Sequence, residues 1–290
     1  MKGRLDKYTN TPTTGHEWDG IEELDTPVPW GFRLALKLAI LIAATQWVLY
    51  PAWPYVVSYT SGMTGYSSRA AVAAAVKDGR SLRDQAFAVF VTPDLEELAS
   101  KPGIREKFEP VIGALYRDNC SACHGRDLKG QANFPNLTDD HWLWSGELDE
   151  IEYTLQVGIN SNHEDTRYAE MPAFGRDEIL LKPEITDVVE YVLSISGQEH
   201  DLSAADRGAE IFAENCSGCH NDGGAGGYAF GAPSLIDSEW IYGGDRKAIL
   251  ATLNNGRAGI MPAWSERLNA AEIRMLTLYV QWAGSDDQAD

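Results

Sequence analysis

Cys120-Ser121-Ala122-Cys123-His124 is followed ninety-six residues later by Cys216-Ser217-Gly218-Cys219-His220, and these two stretches contain all four cysteines of the chain. The Cys-x-x-Cys-His pattern is typical of a c-type haem attachment site, where two thiols add to the porphyrin vinyl groups and the histidine binds the iron. Two intervening residues allow one turn of chain to place both sulfurs against the porphyrin edge. The sequence therefore predicts two covalently attached haem c groups. The attachment residues are Cys120, Cys123, Cys216 and Cys219, and the proximal iron ligands are His124 and His220.

Other sites built from paired cysteines explain this pattern less well. A four-thiolate zinc site, a redox-active dithiol of the thioredoxin kind and a structural disulfide all use cysteine pairs. None of them explains why a histidine follows the second cysteine in both motifs. The repetition of the whole pentapeptide, with no cysteine left over, favours haem attachment.

Composition limits the size and the partners of this protein. The 290 residues leave room for two small domains and additional segments. Lys and Arg number 24 against 43 Asp and Glu, so the formal charge is −19 at pH 7. Such a negative surface disfavours nucleic acid and anionic lipid headgroups as partners and favours a basic protein. We expect no nucleic-acid partner, and we expect a basic soluble cytochrome c as electron donor.

An apolar segment, residues 30–50, follows a polar segment of mixed charge, residues 1–29. As a helix of 21 residues it would span about 31 Å, enough to cross the hydrocarbon core of a bilayer. Arg33 and Lys37 near its start can extend to the headgroup layer, and Pro51 ends it. The alternatives are a buried helix of a soluble domain and a cleaved signal whose apolar part lies unusually deep in the chain. We predict a single-pass transmembrane helix.

Basic residues on the N-terminal side of this helix predict its orientation in the membrane. Residues 1–29 are then cytoplasmic, and everything after the helix lies in the periplasm, where haem is attached covalently. This places the chain in the inner membrane of a bacterium. Residues 51–103 are predicted to be a periplasmic connector with one or two helices, for which Ser67 is a candidate N-cap.

From Ile104 onward the chain is a duplication. Matching positions in the two copies are Tyr116 and Phe212, Pro135 and Pro233, Trp142 and Trp240, Gly146 and Gly244, and Gly158 and Gly256. Both copies then reach Met-Pro-Ala-aromatic and close with an amphipathic helix, predicted at 184–193 and 272–282. This order of elements is typical of the class I cytochrome c fold. We therefore predict an all-α chain with one N-terminal transmembrane helix and two tandem class I cytochrome c domains, residues 104–200 and 201–290.

Met171 and Met261 are the candidate sixth ligands of the two irons. They lie in equivalent loops, 47 and 41 residues after the histidine of their own copy, and each precedes a proline that fixes the backbone. A single Met-Pro is ordinarily a loop feature, but its repetition in register with both haem motifs favours ligation. His141 and His163 are the competing candidates in the first copy, and neither has a histidine counterpart in the second. Thioether ligation would raise the reduction potential relative to two imidazoles.

Three further stretches resemble one family of proteins. They are the run from His16 to Asp25 just before the apolar segment, the run from Phe134 to Asp140 with Trp142-Leu143-Trp144, and the runs 158–160 and 171–175. Together with the two haem motifs, they make the chain similar to the di-haem subunit, CcoP or FixP, of cbb3-type cytochrome c oxidase. The resemblance covers nearly the whole chain outside the connector.

The resemblance implies an electron-transfer role without oxygen chemistry in this chain. Such subunits take electrons from a soluble or membrane-bound cytochrome c and pass them to a mono-haem cytochrome c subunit. A third, polytopic haem-copper subunit then reduces oxygen to water. The resemblance also implies that His124 pairs with Met171 and His220 with Met261, and it suggests that the acidic N-terminal motif contacts partner subunits at the cytoplasmic face.

Other functional classes stay open on the sequence alone. One is a free-standing, membrane-anchored di-haem cytochrome that serves another reductase or a photosynthetic reaction centre. Another is a di-haem peroxidase, which needs an open or displaceable position on one iron. A third is a subunit for stability or assembly whose haems do not turn over. Carbon monoxide binding and ligand replacement separate these classes.

Overall fold

The computed structural model describes residues 3–91 and 93–287. Residues 1 and 2 of the predicted cytoplasmic segment, residue 92 of the connector and residues 288–290 of the second predicted domain lie outside the described residues. The chain divides into two compact units, Met1–Arg83 and Asp84–Asp290.

The first unit begins with a small antiparallel sheet, which the helical prediction did not include. Strand β1 spans Thr13–Trp18 and strand β2 spans Ile21–Leu24, with Trp18 paired to Ile21. Asp19 and Gly20 between them both have positive φ, at 51° and 82°. Asp-Gly is the preferred dipeptide for a two-residue hairpin turn because its twist matches that of the strands. The fold class is confirmed as mostly helical, and this hairpin is an addition to it.

Helix α1, Trp30–Leu49, coincides with the predicted transmembrane segment. None of its residues is buried in the protein, and by length and composition it can cross a membrane. An exposed apolar surface of this size marks a site that contacts a membrane or another protein. Helix α2, Ser68–Phe87, follows in the predicted connector, and the Ser67 hydroxyl accepts a hydrogen bond from the Ala70 amide at 3.3 Å.

The second unit contains the duplicated part of the chain. A short 3₁₀ turn, Ala88–Phe90, leads into nine helices of the described residues. They are α3 (Leu95–Ser100), α4 (Ile104–Asn119), α5 (Ser121–His124), α6 (Leu148–Val157), α7 (Lys182–Ile195), α8 (Leu202–Asn215), α9 (Ser217–His220), α10 (Arg246–Asn255) and α11 (Ala270–Asp287).

These helices form two lobes with separate cores. The first lobe consists of α3 to α6 together with α11, and its core includes the fully buried side chains of Ile112, Tyr116 and Leu276. The second lobe consists of α7 to α10, and its core includes Val188, Phe212 and Leu253. Each core is one contiguous cluster of apolar side chains, which is the main stabilising term for a domain of this size.

The two closing helices pack crosswise, contrary to the expectation that each copy closes on itself. Helix α11 of the second copy packs on α4 and α6 of the first, and the Tyr279 ring lies 5.5 Å from that of Tyr116. Helix α7 of the first copy packs on α8 and α10 of the second, and the Tyr191 ring lies 5.0 Å from that of Phe212. The contact between α7 and α8 is the most extensive one between two helices of the described chain.

A short connection explains this exchange. Only residues 196–201 join α7 to α8, so the two helices fold back on each other as an antiparallel pair. The Glu184 carboxylate caps the start of α7, and the Asp201 carboxylate caps that of α8 by accepting from the Ala204 amide at 2.9 Å. The second lobe is thus the continuous stretch from the Met171 loop to α10, inserted between α6 and the Met261 loop of the first lobe.

Candidate haem sites

Each Cys-x-x-Cys-His motif occupies a single helical turn. In the first motif the amides of Cys123 and His124 donate to the Cys120 carbonyl at 3.1 and 3.0 Å. In the second motif the amides of Cys219 and His220 donate to the Cys216 carbonyl at the same two distances. No disulfide joins any two of these four cysteines, all of which the structure describes. Both predicted attachment sites therefore have the same local geometry, with the second sulfur and the imidazole one turn after the first sulfur.

Both histidines predicted to be proximal ligands are oriented by a backbone carbonyl. The Nδ1 atom of His124 lies 3.2 Å from the Pro135 oxygen, and that of His220 lies 2.9 Å from the Pro233 oxygen. Because a carbonyl only accepts, Nδ1 must carry the proton, which leaves the Nε2 lone pair free for iron. Burial lowers the pKa of both imidazoles, with the hydrogen bond acting in the opposite direction, and so favours the neutral form that binds metal.

The alternative cysteine sites do not fit this environment. Burial, with a smaller effect of the neighbouring thiol, raises the pKa of Cys120 to about 12 and that of Cys216 to about 11. A redox-active dithiol or a zinc thiolate requires the opposite shift. Among residues 3–91 and 93–287 there is also no group of three or more His, Cys, Asp or Glu side chains placed to hold a metal ion. The two motifs lie in different lobes, so they cannot form one four-thiolate site.

The loops after the motifs hold the histidines in place. The Gly130 amide donates to the His124 carbonyl at 3.0 Å, and the Gly226 amide donates to the His220 carbonyl at 2.8 Å. In the first lobe the buried Tyr116 hydroxyl donates to the Gly125 carbonyl at 2.8 Å. These bonds bring the carbonyls of Pro135 and Pro233 back over the imidazoles.

The structure brings each methionine to the lobe of the other copy. Met261 packs against the core of the first lobe, as Cys120 does. Met171 packs against the core of the second lobe, which includes the buried Cys216. This packing differs from the pairing implied by the resemblance, His124 with Met171 and His220 with Met261. The cause is the exchange of the two closing helices. Each methionine loop directly precedes its closing helix in the chain and therefore lies in the same lobe as that helix.

Gly158 and Gly256, which follow α6 and α10, allow the methionine loops to approach the backbone closely. Gly158 has φ +70° and ψ −172°, Gly256 has φ +69° and ψ 179°, and this region of backbone space is accessible essentially only to glycine. A Cβ atom on Gly158 would lie 2.4 Å from the Met261 carbonyl oxygen, and one on Gly256 would lie 2.5 Å from that of Met171. The glycines that match in the sequence thus have the same structural role.

Gly158→Ala is expected to displace the Met261 loop and to destabilise the first lobe by about 1–3 kcal/mol, since the side chain forces both the backbone angle and the contact. Thermal unfolding followed by Soret absorbance measures the loss. Gly103→Ala is the matched control, because Gly103 also has positive φ, +78°, but no atom beyond its chain neighbours lies within 4 Å of the position that its Cβ would take. Equal shifts for both variants would show that the methionine loop does not press on Gly158.

Two arginines beside the sites were not identified from the sequence. The Arg167 guanidinium stacks on Trp144 and Tyr153, at 4.9 and 4.8 Å from the ring centroids, and pairs with Glu150. Its Nε atom is buried and has no hydrogen-bond partner among the described residues, so it is a donor available to a haem propionate. Arg257 stacks on Tyr242 at 4.3 Å. Both arginines stack on an aromatic ring, but the aligned copies do not show this likeness. Arg167 lies in the insertion at 161–168, so no residue of the second copy aligns with it.

The competing histidines are engaged elsewhere. His141 is exposed, and its Nδ1 atom lies 3.1 Å from an Asp237 carboxylate oxygen. The Nδ1 atom of His163 accepts a hydrogen bond from the Asp165 amide at 3.1 Å within the insertion.

Three family models match consecutive parts of this chain. Residues 10–57 match the N-terminal domain of cytochrome oxidase-cbb3, FixP, and residues 113–196 match cytochrome c. Residues 203–280 match cytochrome C oxidase, cbb3-type, subunit III.

Curated relatives are similar over nearly the full length. The FixP subunit of a cbb3-type cytochrome c oxidase from Bradyrhizobium sp. (strain ORS 278) is 43% identical over 284 residues, which cover 97% of each chain. The CcoP subunit from Cereibacter sphaeroides is 41% identical over 292 residues, 99% of each chain. This chain belongs to the FixP/CcoP family of cbb3-type cytochrome c oxidase subunits. The family predicted from the sequence motifs is thereby confirmed, and so are the two cytochrome c domains.

Membership of the FixP/CcoP family makes the chain part of an oxidoreductase complex with other oxidase subunits. Its cytochrome c domains imply haem c, and the orphaned Arg167 donor and the free imidazole Nε2 atoms fit that group. The apolar helix α1 within the matched FixP N-terminal domain marks a membrane-anchored protein.

Proposed function

We propose that this FixP/CcoP-family chain receives electrons from a donor cytochrome c and passes them, through two haem c groups, towards a mono-haem subunit and a polytopic haem-copper subunit. Oxygen reduction then takes place in the partner subunit and not in this chain. The observation that carries the proposal is that each lobe contains one histidine oriented by a backbone carbonyl and one methionine packed against the lobe core. This ligand set favours electron transfer over substrate binding.

The residues of the chain contribute attachment, orientation and exclusion of water. The four cysteines would hold the two haems covalently, and His124, His220, Met171 and Met261 would supply the axial ligands. The haem itself supplies the one-electron chemistry. Buried side chains such as Phe174 and Trp264, 7% and 8% exposed, follow the methionines and keep their loops in apolar surroundings. The apolar shell around a haem controls solvent access and thereby its reduction potential.

The proposal that this chain is not itself catalytic rests on how tightly the methionine loops are held. The Met171 amide donates to the Arg257 carbonyl at 2.8 Å, and the Arg257 amide donates back at 2.9 Å. Met261 exchanges the same pair of bonds with Ile159, both at 2.9 Å. A peroxidase needs one displaceable ligand, so carbon monoxide should bind little to the reduced resting protein. Stoichiometric binding would instead favour the peroxidase.

The orientation in the membrane is part of the same proposal. Arg33 and Lys37 lie in the first two turns of α1, and the positive-inside tendency places that end in the cytoplasm. Both lobes are then periplasmic. Protease added to intact spheroplasts should cleave the lobes and leave the hairpin of β1 and β2 protected.

Oxygen uptake should decrease as ionic strength rises when a basic cytochrome c is the donor. Residues 104–200 hold 19 acidic and 8 basic side chains, and residues 201–290 hold 13 and 6. A field of this sign accelerates encounter with a basic protein, and salt screens it over about 8–10 Å at 0.1–0.15 M. Initial rates at low donor concentration, measured across a salt series, test this. A rate independent of salt contradicts the choice of donor.

The deciding experiment is oxygen uptake by the material that co-purifies with a tagged form of this chain from detergent-solubilised membranes. Uptake with reduced cytochrome c that follows the tagged band through purification supports the proposal. A chain that purifies alone, with two haems and no uptake, would favour a free-standing carrier.

A further inference from the structure

We propose that residues 51–66, which follow the apolar helix α1, form a collar that lies in the headgroup layer of the bilayer and inserts Val56 and Val57 towards the acyl chains. The collar is a second membrane contact of the chain, beside the span itself. Of the function proposed above, it requires only that α1 crosses the membrane. In the proposed orientation the collar lies in the periplasmic leaflet.

Hydrogen bonds fasten the collar to the end of α1. The Met63 amide donates to the Val48 carbonyl at 3.0 Å. The Leu49 carbonyl accepts from the Thr64 amide at 3.0 Å and from the Thr64 hydroxyl at 2.7 Å. Both carbonyls are among the last four of the helix, which have no partner within it. The chain thus returns to the helix end, and a helix that crosses the bilayer holds the collar at the membrane surface.

Gly62 makes this return of the chain possible. Its φ is +69°, and a Cβ atom on it would lie 2.5 Å from the Leu49 carbonyl oxygen. Only glycine combines this backbone conformation with so close an approach. A ring contact adds to the hydrogen bonds, since the Tyr66 ring lies 5.7 Å from that of Tyr50 at the end of the helix.

Residues 53–60 of the collar form a hairpin with an apolar tip. The Thr60 amide donates to the Trp53 carbonyl at 2.9 Å, and the Thr60 hydroxyl accepts from the Trp53 amide at 3.1 Å. Backbone groups paired in this way can enter a layer that contains little water. Val56 and Val57 at the tip are 101% and 94% exposed. Acyl chains would remove this apolar surface from water, which is favourable.

The composition of the collar suits the headgroup layer. Charged residues make up 23% of the whole chain, yet residues 38–68 contain none, so the uncharged stretch extends well beyond the end of α1. Tyrosine and tryptophan, which have an apolar ring and a polar tip, are enriched where a membrane meets water. The collar presents four of them, with exposed fractions between 46% and 66%: Trp53, Tyr55, Tyr59 and Tyr66.

Aromatic rings on both faces of the hairpin favour lipid over a partner subunit. Pro54 and Tyr59 are antiparallel partners and therefore share one face. Trp53 and Tyr55 alternate with Pro54 along the chain and so belong to the opposite face. A docked protein covers one face of a hairpin, whereas a headgroup layer surrounds both. Lipid is therefore the occupant that this surface fits.

A spin label on Val57→Cys tests the assignment in the full-length chain, both alone and within the oxidase complex, in vesicles of phosphatidylethanolamine and phosphatidylglycerol. The readout is the collision of the label with oxygen, which concentrates in lipid, and with a nickel chelate, which stays in water. Leu202→Cys is the aqueous control, because Leu202 is also apolar, is 75% exposed and lies in the second unit. Ile40→Cys in α1 gives the value for the bilayer interior, and the unsubstituted protein gives the background of labelling.

The collar predicts frequent collisions of the Val57 label with oxygen and rare ones with the chelate, shifted from the Leu202 values towards those of Ile40. Values equal to those of Leu202 overturn the assignment. Rare collisions with both reagents in the complex, but not in the chain alone, identify a partner subunit as the occupant and also overturn it. If the Ile40 label of the chain alone meets the chelate, α1 does not cross the bilayer, and the membrane anchor fails together with the collar.

Gly62→Ala in the Val57→Cys background tests whether the return of the chain holds the collar in place. The added methyl group separates the collar from the end of α1, so the label should collide more often with the chelate. Gly65→Ala is the matched control, because Gly65 also has positive φ, +64°, but no atom beyond its chain neighbours lies within 4 Å of the position of its Cβ. Equal collision rates in the two variants contradict the fastening of the collar to the helix end.

Discussion

Met261→His is expected to lower the reduction potential of one haem and to slow electron delivery, while the oxidase complex still assembles. Imidazole favours the ferric state relative to a thioether, so the change moves the potential downwards. A loss of about 120 mV is a modest share of the roughly 0.8 V range that axial ligands cover, and it lowers the equilibrium constant for accepting an electron about a hundredfold. Potentiometric titration of the purified complex and oxygen uptake with reduced cytochrome c measure the two effects.

Met63→His is the matched control for this substitution. It introduces the same imidazole at a side chain that is 77% exposed and lies in the first unit. Its potentials and uptake should equal those of the unmodified complex. Full uptake by the Met261→His complex would remove the haem concerned from the path of electrons to oxygen.

Gly208→Ala is expected to destabilise the second lobe strongly, because the added methyl group meets the backbone of a neighbouring helix. A Cβ on Gly208 would lie 2.0 Å from the Asp187 carbonyl oxygen and 2.9 Å from the Tyr191 Cβ, so α7 and α8 would have to separate. Overpacking costs about 1–3 kcal/mol and sometimes more, and a backbone contact this short belongs at the upper end. This cost of overpacking exceeds the opposing gain of roughly 1 kcal/mol that alanine brings to a helix position relative to glycine.

The midpoint of thermal unfolding of the detergent-solubilised chain, followed by circular dichroism and by Soret absorbance, tests this prediction. A net loss of about 2 kcal/mol corresponds to roughly 4–8 °C for a unit of 150–250 residues. Gly218→Ala is the control, because a Cβ on Gly218 would have no atom within 4 Å beyond its chain neighbours and its own helix backbone. The first motif already has alanine at the same place, Ala122. A midpoint for Gly208→Ala within about 1 °C of the control, well below the shift that such overpacking implies, would contradict the close crossing of α7 and α8.

Local features of the site were predictable because their chemistry is local. The spacing within each motif places thiols and imidazole on one helical turn whatever the rest of the chain does. The apolar run 30–50 predicted α1 to within one residue, since length and hydropathy suffice for such a helix. The dipeptide Asp19-Gly20 is also a local turn signal, but the acidic residues around it favoured an interpretation by charge, and the hairpin was not predicted.

Features that depend on distant partners were not predictable in the same way. Arg167 and Arg257 stack on aromatic rings beside the sites, yet the insertion 161–168 places them at unmatched positions. The carbonyls of Pro135 and Pro233 gain their role only when their loops fold back over the histidines. Matching prolines in the two copies indicated that the loops are equivalent, but not which atom the imidazole meets.

The sequence by itself determined the family, the two haem motifs, the four candidate axial ligands and the apolar helix, because each follows from spacing, composition or motif. Only the tertiary structure decided which methionine packs in which lobe. The two copies have similar core faces, so either closing helix could fill either groove as far as the apolar pattern is concerned. The six residues between α7 and α8 decide between the two arrangements, because a connection that short packs α7 onto α8 and leaves α11 to close the first lobe.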